Sequence, residues 1–210
     1  MFTMDARAFN EKVMKDLFRK IYPVIAEQVL AHTGVRQGRA MDLGGGPGML
    51  AVALAQRSQL SLSVVDPLED CVQLARENIA EHGVQAQVEA TLGRAEQLDF
   101  PEACMDLVVS RGSIYFWEDQ QAGLREVWRV LRPGGWAHIG GGFGTRLLRE
   151  EIMALKAGDE EWLGAMRERG RRNPPEHFQR LLDAAGIAGE VLQQEAGIWI
   201  TFRKPGEGTP

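Results

Sequence analysis

The sequence predicts an α/β domain, and two observations carry that reading. The first is the stretch Ala40-Met41-Asp42-Leu43-Gly44-Gly45-Gly46-Pro47-Gly48. A short apolar run closes on an acid, a turn of small residues follows, and an alanine-rich helix former, Met49 to Gln56, comes next. Strand, glycine turn and helix in that order are the layout of a nucleotide-type site in an open parallel sheet. The second is the alternation that continues along the chain. Short apolar runs near 60–65, 87–92, 105–110 and 136–141 take turns with helical patterns near 69–82, 118–131 and 175–185. Strands alternating with helices of this length give parallel strands joined by helical crossovers.

Composition narrows the class. A chain of 210 residues is most simply one domain. Its 44% hydrophobic and 25% charged residues are those of a globular protein. A formal net charge of -5 gives no general attraction to nucleic acid or to an anionic membrane. The two cysteines, Cys71 and Cys104, form neither a disulfide framework nor a zinc pattern. Residues 1–12 lack the apolar core of a signal peptide, and no apolar run is long enough to span a bilayer. The expected setting is reducing and cytoplasmic.

The elements follow in order. Val13, Leu17, Ile21, Ile25 and Leu30 recur at helical spacing, so 6–31 reads as a helix broken at Pro23. It covers the sheet, or it turns Tyr22, at the break, toward a ligand. After the glycine turn, an apolar strand at 60–65 ends in Asp66. A carboxylate there can accept both hydroxyls of a ribose. It can equally cap the next helix, with Glu69 as its capping-box partner. Pro67 and Leu68 offer an apolar surface beside it. The fourth strand runs into Arg111-Gly112-Ser113-Ile114-Tyr115-Phe116-Trp117, a loop at the carboxyl end of the central strands, where such sheets bind ligands. Tyr115 and Trp117 are candidate pocket walls, and Phe116 reads as packing. Arg132-Pro133-Gly134-Gly135 reads as a helix stop and tight turn. His138, inside the fifth strand, reads as a core residue. Gly140 to Gly144 reads as a lid hinge or as close backbone packing. Residues 145–173 form a charged helical insertion with breaks near Gly158 and Gly170. Its arginines Arg167, Arg169, Arg171 and Arg172 suit a helix end, or an anion site. Two strands, 188–194 and 197–203, close the fold as a hairpin.

The glycine order separates possible ligands. The dinucleotide fingerprint G-x-G-x-x-G fails at its third glycine, where Met49 stands, and no Gly-Lys-Ser/Thr closes a phosphate loop. What is present is D-x-G-x-G-x-G, from Asp42, Gly44, Gly46 and Gly48. It resembles motif I of the class I S-adenosylmethionine-dependent methyltransferases. Asp66, the segment Gly93-Arg94-Ala95-Glu96-Gln97-Leu98, and Leu131-Arg132-Pro133-Gly134-Gly135 resemble further motifs of that family, in the right order. The tetrapeptide N/D-P-P-Y/F of enzymes that methylate base amines or glutamine is replaced by Ser110-Arg111-Gly112-Ser113. The chain is therefore similar to the small-molecule, type 11 branch, which includes ubiquinone/menaquinone methyltransferase-like enzymes.

That resemblance implies a Rossmann-like seven-stranded sheet of order 3-2-1-4-5-7-6 with strand seven antiparallel and helices on both faces. It implies one domain over 1–210, with a helical cover at 1–34, a helical cap at 145–173 and a flexible tail at 204–210. It implies S-adenosylmethionine (SAM) as cofactor, S-adenosylhomocysteine as product and no metal. A nucleophilic N, O, S or C atom of a small molecule would take the methyl group by in-line displacement. Neither nucleic acid nor membrane is expected as a partner. The implied cofactor residues are Tyr22, Asp42, Gly44, Gly45, Gly46, Asp66, Pro67, Ala95, Glu96, Arg111 and Gly112. Tyr115, Trp117 and Phe143 are the implied acceptor walls, and no catalytic side chain is named. Arg94 departs from the usual aspartate of the adenine segment and cannot accept a hydrogen bond from the adenine amine; Glu96 is the replacement acceptor. A non-catalytic SAM-binding protein of the same fold stays open as an alternative, and the missing third glycine disfavours a nicotinamide oxidoreductase.

Overall fold

The computed structural model describes residues 5–206. In chain order the elements are α1 (Ala6–Phe9), a wide helical turn (Asn10–Leu17), α2 (Ile21–Thr33), β1 (Gln37–Leu43), α3 (Met49–Ala55), β2 (Gln59–Asp66), α4 (Glu69–Glu81), β3 (Val88–Leu92) and β4 (Met105–Arg111). A single 3-10 turn (Ile114–Phe116) leads to α5 (Gln120–Val130), β5 (Leu131–Gly142), α6 (Arg146–Leu155), α7 (Glu160–Arg172), α8 (Pro175–Ala185), β6 (Gly189–Gln194) and β7 (Gly197–Arg203). The strands form one sheet of order β3-β2-β1-β4-β5-β7-β6. β7 runs antiparallel to both of its neighbours, and the other pairs are parallel. This is the expected order.

Side chains of each strand alternate between two cores. Ala40 faces the layer of α2, α3 and α4 with Ile21, Ile25, Leu54 and Leu62. Met41 and Leu43 face α5 and α8 with Leu124, Phe178 and Ile200. Burial on both faces explains why the central strands read as continuous apolar runs. The chain reverses its direction of growth between β1 and β4. The turn after β1 and the loop after β4 therefore face each other across the crevice where such sheets hold ligands.

The structure corrects four details of the sequence reading. The N-terminal break lies at residues 18–20, ahead of Pro23, which sits in the first turn of α2 where no intrahelical N–H is needed. Before it, Phe18 N–H donates to the carbonyl of Val13 five residues back, at 2.8 Å. Residues 131–135 are not a turn ahead of the strand but part of it. Met105 pairs with Leu131 and Leu107 with Trp136, so β5 bulges while β4 advances straight. Gly170 does not break α7, because Glu168 pairs across it with Arg171 and Arg172. Lys204, expected in a loose tail, is anchored: its Nζ donates to the carbonyls of Trp128 and Leu131 at 3.0 and 2.8 Å. Residues 207–210 of that tail lie outside the described residues.

The N-terminal cover is latched to the glycine turn through two buried asparagines. Asn78 Nδ2 donates both to Asn10 Oδ1 at 3.0 Å and to the Pro47 carbonyl at 2.9 Å. On the other flank of the crevice, Gly140 to Gly142 pair with Trp199, Ile198 and Gly197 of β7. These glycines serve close strand packing, and a hinge would be confined to Phe143–Thr145. Thr145 caps α6 by accepting from the Leu148 N–H.

Candidate active site

The glycine turn is held from below. Gly44 and Gly45 both donate to the Val65 carbonyl, at 2.7 and 3.3 Å. Gly44 has φ +64°, and a Cβ there would run into the side chain of Ser113 from the opposite loop. Ser113 Oγ in turn donates to the Leu43 carbonyl at 2.9 Å. The two walls of the crevice thus touch at a point where only glycine fits.

Two carboxylates lie behind the turn. Asp42, 1% exposed, accepts the Ala51 N–H at 3.1 Å. That N–H is one of the unpaired donors at the start of α3. Burial pushes the Asp42 carboxyl up to about 7; the Ala51 N–H opposes the shift and the neighbouring Asp66 adds to it. Asp66 accepts from Gly46 N–H at 2.9 Å through one oxygen and from Leu68 N–H at 3.1 Å through the other. Its pKa is also raised by burial, against those two N–H groups. The capping-box expectation is corrected: Leu68 is the N-cap of α4 and no side chain caps it. A Cβ at Gly46 or Gly112 would meet nothing within 4 Å. The space over the turn is open, and Asp66 stands at its side with no cation paired to it among the described residues.

On the β3 side, Gly93 N–H donates to the Asp66 carbonyl at 3.0 Å, and Ala95 is buried behind it. Glu96 Oε1 accepts from Glu118 and Asp119 N–H groups at 2.7 and 3.3 Å. Arg94 pairs with Glu118 at 2.6 Å. The carboxylate suggested as a replacement acceptor thus already holds the start of the next loop through one oxygen. Pro67, Leu68 and Leu92 are exposed beside Asp66.

The β4–β5 side is different in kind. Arg111 Nε donates to the Gly142 carbonyl at 3.1 Å. Its guanidinium carbon lies 4.3 Å from the Phe18 ring centre, 5.7 Å from Tyr22 and 5.9 Å from Phe143. Tyr22 is buried, its hydroxyl donating to Met14 Sδ at 2.9 Å. Burial pushes that hydroxyl up to about 12, against the pull of Arg111. Tyr115 lies against the backbone of Gly141 and tilts toward Phe178 at 6.1 Å. Trp117 turns to α5: its Nε1 donates to Ser113 Oγ at 3.1 Å, and its ring covers Gly123. Phe116, read as packing, is 54% exposed with the Arg169 guanidinium 5.6 Å over its ring.

His138 is buried in the β5–β7 core, 4.5 Å from Trp199, away from this edge. Burial brings its pKa down to about 4.

Phe18 was not among the predicted site residues, and Arg169 was named only as one of four arginines that suit a helix end or an anion site. A 3.6-residue period from Val13 selects Leu17. The wide turn replaces it with Phe18.

The strand order is that of the methyltransferase class, and comparison with known proteins agrees. A family model described as a methyltransferase domain matches residues 40–135. A crystal structure from Methanococcus maripaludis, described as that of a candidate S-adenosyl-L-methionine-dependent methyltransferase, is 34% identical. It superposes with a TM-score of 0.91 over 98% of this chain and 94% of that one. The chain belongs to the S-adenosylmethionine-dependent methyltransferase family. Among curated relatives, the ubiquinone/menaquinone biosynthesis C-methyltransferase UbiE of Hydrogenovibrio crunogenus is 31% identical over 135 residues, 62% of this chain and 53% of that protein. The chloroplastic 2-methyl-6-phytyl-1,4-hydroquinone methyltransferase 2 of Oryza sativa subsp. japonica is 38% identical over 101 residues, 48% of this chain and 28% of that protein. The chain spans about half or less of the length of these curated relatives.

Proposed function

We propose that this protein binds SAM over the glycine turn and transfers its methyl group to a small molecule, in the cytoplasm and without a metal. The observation that carries the reading is the Asp66–Gly46 pair beside an open turn, facing an aromatic loop across the crevice. Bound there, SAM would supply an electrophilic methyl group for in-line displacement by an acceptor atom. Asp66 has lone pairs left for ribose hydroxyls; Gly46 leaves its backbone open to close approach, and Gly44 and Gly45 hold the turn beneath it. Pro67 and Leu68 give an apolar face for the base; Ala95 and Glu96 border it. On the far side Tyr22, Arg111 and Gly112 complete the cofactor wall. Tyr115 and Phe143 line the acceptor side, and Trp117 supports the loop from behind.

The chain's contribution is alignment and exclusion of water, which by themselves remove several kcal/mol of barrier. The helices of 145–173 serve as the cap: Ile152 is buried in the α2 layer, and Leu148 and Trp162 pack on it. The curated relatives named for quinone and hydroquinone methylation favour an aromatic acceptor. Ser110-Arg111-Gly112-Ser113 brings no carboxylate that would hold a magnesium ion.

Calorimetric titration in EDTA-containing buffer tests the reading. SAM and S-adenosylhomocysteine should bind and NAD should not. Binding of NAD without SAM, or SAM binding that requires added Mg²⁺, would overturn it.

A further inference from the structure

The four arginines near the end of α7 look alike in the sequence, and the structure sorts them. Arg171 and Arg172 both pair with Glu168, at 2.8 and 2.6 Å, and Arg167 pairs with Glu160 at 3.5 Å. Arg169 has no carboxylate partner among the described residues. Its guanidinium lies over Phe116, on the loop that follows β4.

Arg111 is in the same condition. It touches one backbone carbonyl, the Tyr22 side chain and the rings of Phe18 and Phe143, and among the described residues it pairs with no carboxylate. Nε is committed to the Gly142 carbonyl and the side chain also hydrogen-bonds Tyr22, yet a guanidinium has five N–H donors and keeps some for a ligand. Tyr115 stands between the two arginines. Its ring packs on Gly141, next to the carbonyl that Arg111 holds, and it adjoins Phe116, which carries Arg169. Its hydroxyl has no hydrogen-bond partner among the described residues. Both arginines pull the pKa of the Tyr115 hydroxyl down against its burial, and Arg111 opposes the charge on Arg169.

Two half-buried guanidiniums close enough to act on the same tyrosine, with no carboxylate partner among the described residues, repel each other and lose hydration. A forked oxyanion would satisfy both. Guanidinium donors match a carboxylate in shape, and a hydroxyl can add a third bond.

We infer that Arg169 and the Tyr115 hydroxyl, with Arg111 at the border between the cofactor wall and the acceptor side, bind an anionic group, a carboxylate, on the methyl acceptor. This rests on the small-molecule methyltransferase reading and names the acceptor class within it: an aromatic or partly apolar acid. The same chemistry could come from the methionine carboxylate of SAM. Arg169 tells the two sources apart, because it comes from the cap and not from the sheet edge that carries the glycine turn.

The test uses protein saturated with S-adenosylhomocysteine, titrated with benzoate and with its neutral counterpart benzamide. Benzoate should bind and benzamide should bind at least about tenfold more weakly. Arg169→Gln should lower benzoate affinity by about tenfold or more and leave SAM and S-adenosylhomocysteine affinity within about twofold. Arg172→Gln, which removes the same charge from the same helix at a paired position, should change neither. Arg169→Lys should fall between, and it serves if the Gln variant melts early. Equal binding of benzoate and benzamide would overturn the inference, as would equal losses in Arg169→Gln and Arg172→Gln. A loss of SAM affinity in Arg169→Gln as large as the loss for benzoate would also overturn it, by assigning the arginine to the cofactor. Failure of the unmodified protein to bind SAM is a separate result, and it removes the methyltransferase reading itself.

Discussion

Two halves of one sheet edge handle buried charge in opposite ways. On the β1–β2 side, Asp42 and Asp66 are buried with no cation. Their partners come from the adjoining turn and helix starts: the Ala51 N–H for Asp42, and the Gly46 and Leu68 N–H groups with the Cys71 thiol for Asp66. Over the β4–β5 side, Arg111 from the sheet edge and Arg169 from α7 rest on aromatic rings and pair with no carboxylate among the described residues. The acids are satisfied by nearby stretches of chain as the turn forms, so that half is shaped before any ligand arrives. The arginines come from elements far apart in sequence and retain unspent charge, so that half is completed by what binds. Preorganised donors suit a constant cofactor, and an incomplete cationic site suits selection among acceptors.

Gly44→Ala should have the largest effect, because it strikes the contact joining the halves. A left-handed φ costs an alanine about 1–2 kcal/mol, and the methyl also displaces Ser113. A loss of roughly 3 kcal/mol in denaturant unfolding is expected, with SAM binding abolished. A variant as stable as the parent would show that the walls do not depend on each other.

Asp66→Ala comes next. It should weaken SAM binding by more than about tenfold, since charge-assisted hydrogen bonds of about 1.5–3 kcal/mol each are lost. A melting curve must accompany the titration, because the Gly46 and Leu68 N–H groups also lose their acceptor. Unchanged affinity in a folded variant would take Asp66 out of the site.

Asp42→Asn should have the smallest effect, and it depends on pH. The Asp42 carboxyl titrates near 7 in the fold against a reference value of 3.8. Between those values the folded state holds a proton that the unfolded chain has released. Stability therefore falls as pH rises through this window, and the cost is fully present above it. Asparagine can still accept the Ala51 N–H and carries no charge. It should stabilise the protein by about 1–2 kcal/mol at pH 8 and by little at pH 5. The same difference at both pH values would show that Asp42 is not the titrating group.

The preformed half was the legible one. Asp42, the glycines and Asp66 do their work through contacts with neighbouring chain, and strand, turn and helix patterns report such contacts directly. The Ser113–Gly44 contact joins β1 to a loop beyond β4, and no local pattern announces it. Phe18 was hidden by the wide turn, which shifts the helical phase by one residue and puts Phe18 where periodicity puts Leu17. The role of 131–135 was hidden as well. Pro and Gly signal a turn, and only the pairing with β4 and β7 makes them a bulge inside a long strand. Arg169 did leave a trace. Glu168 stands three and four residues before Arg171 and Arg172, the spacing of helical ion pairs, which leaves Arg167 and Arg169 without such a partner; only the structure, which pairs Arg167 with Glu160, separates those two.

The asparagine latch bears on the order in which the molecule assembles. Asn78 must be on a formed α4, and Pro47 on a formed turn, before Asn10 has anything to grip. Closing that contact spans 68 residues, a loop whose entropy has to be offset by a sheet already in place. The cover is therefore the last piece to dock, although it precedes the sheet in the chain. Until it docks, the Tyr22 and Phe18 faces of the Arg111 cage are missing.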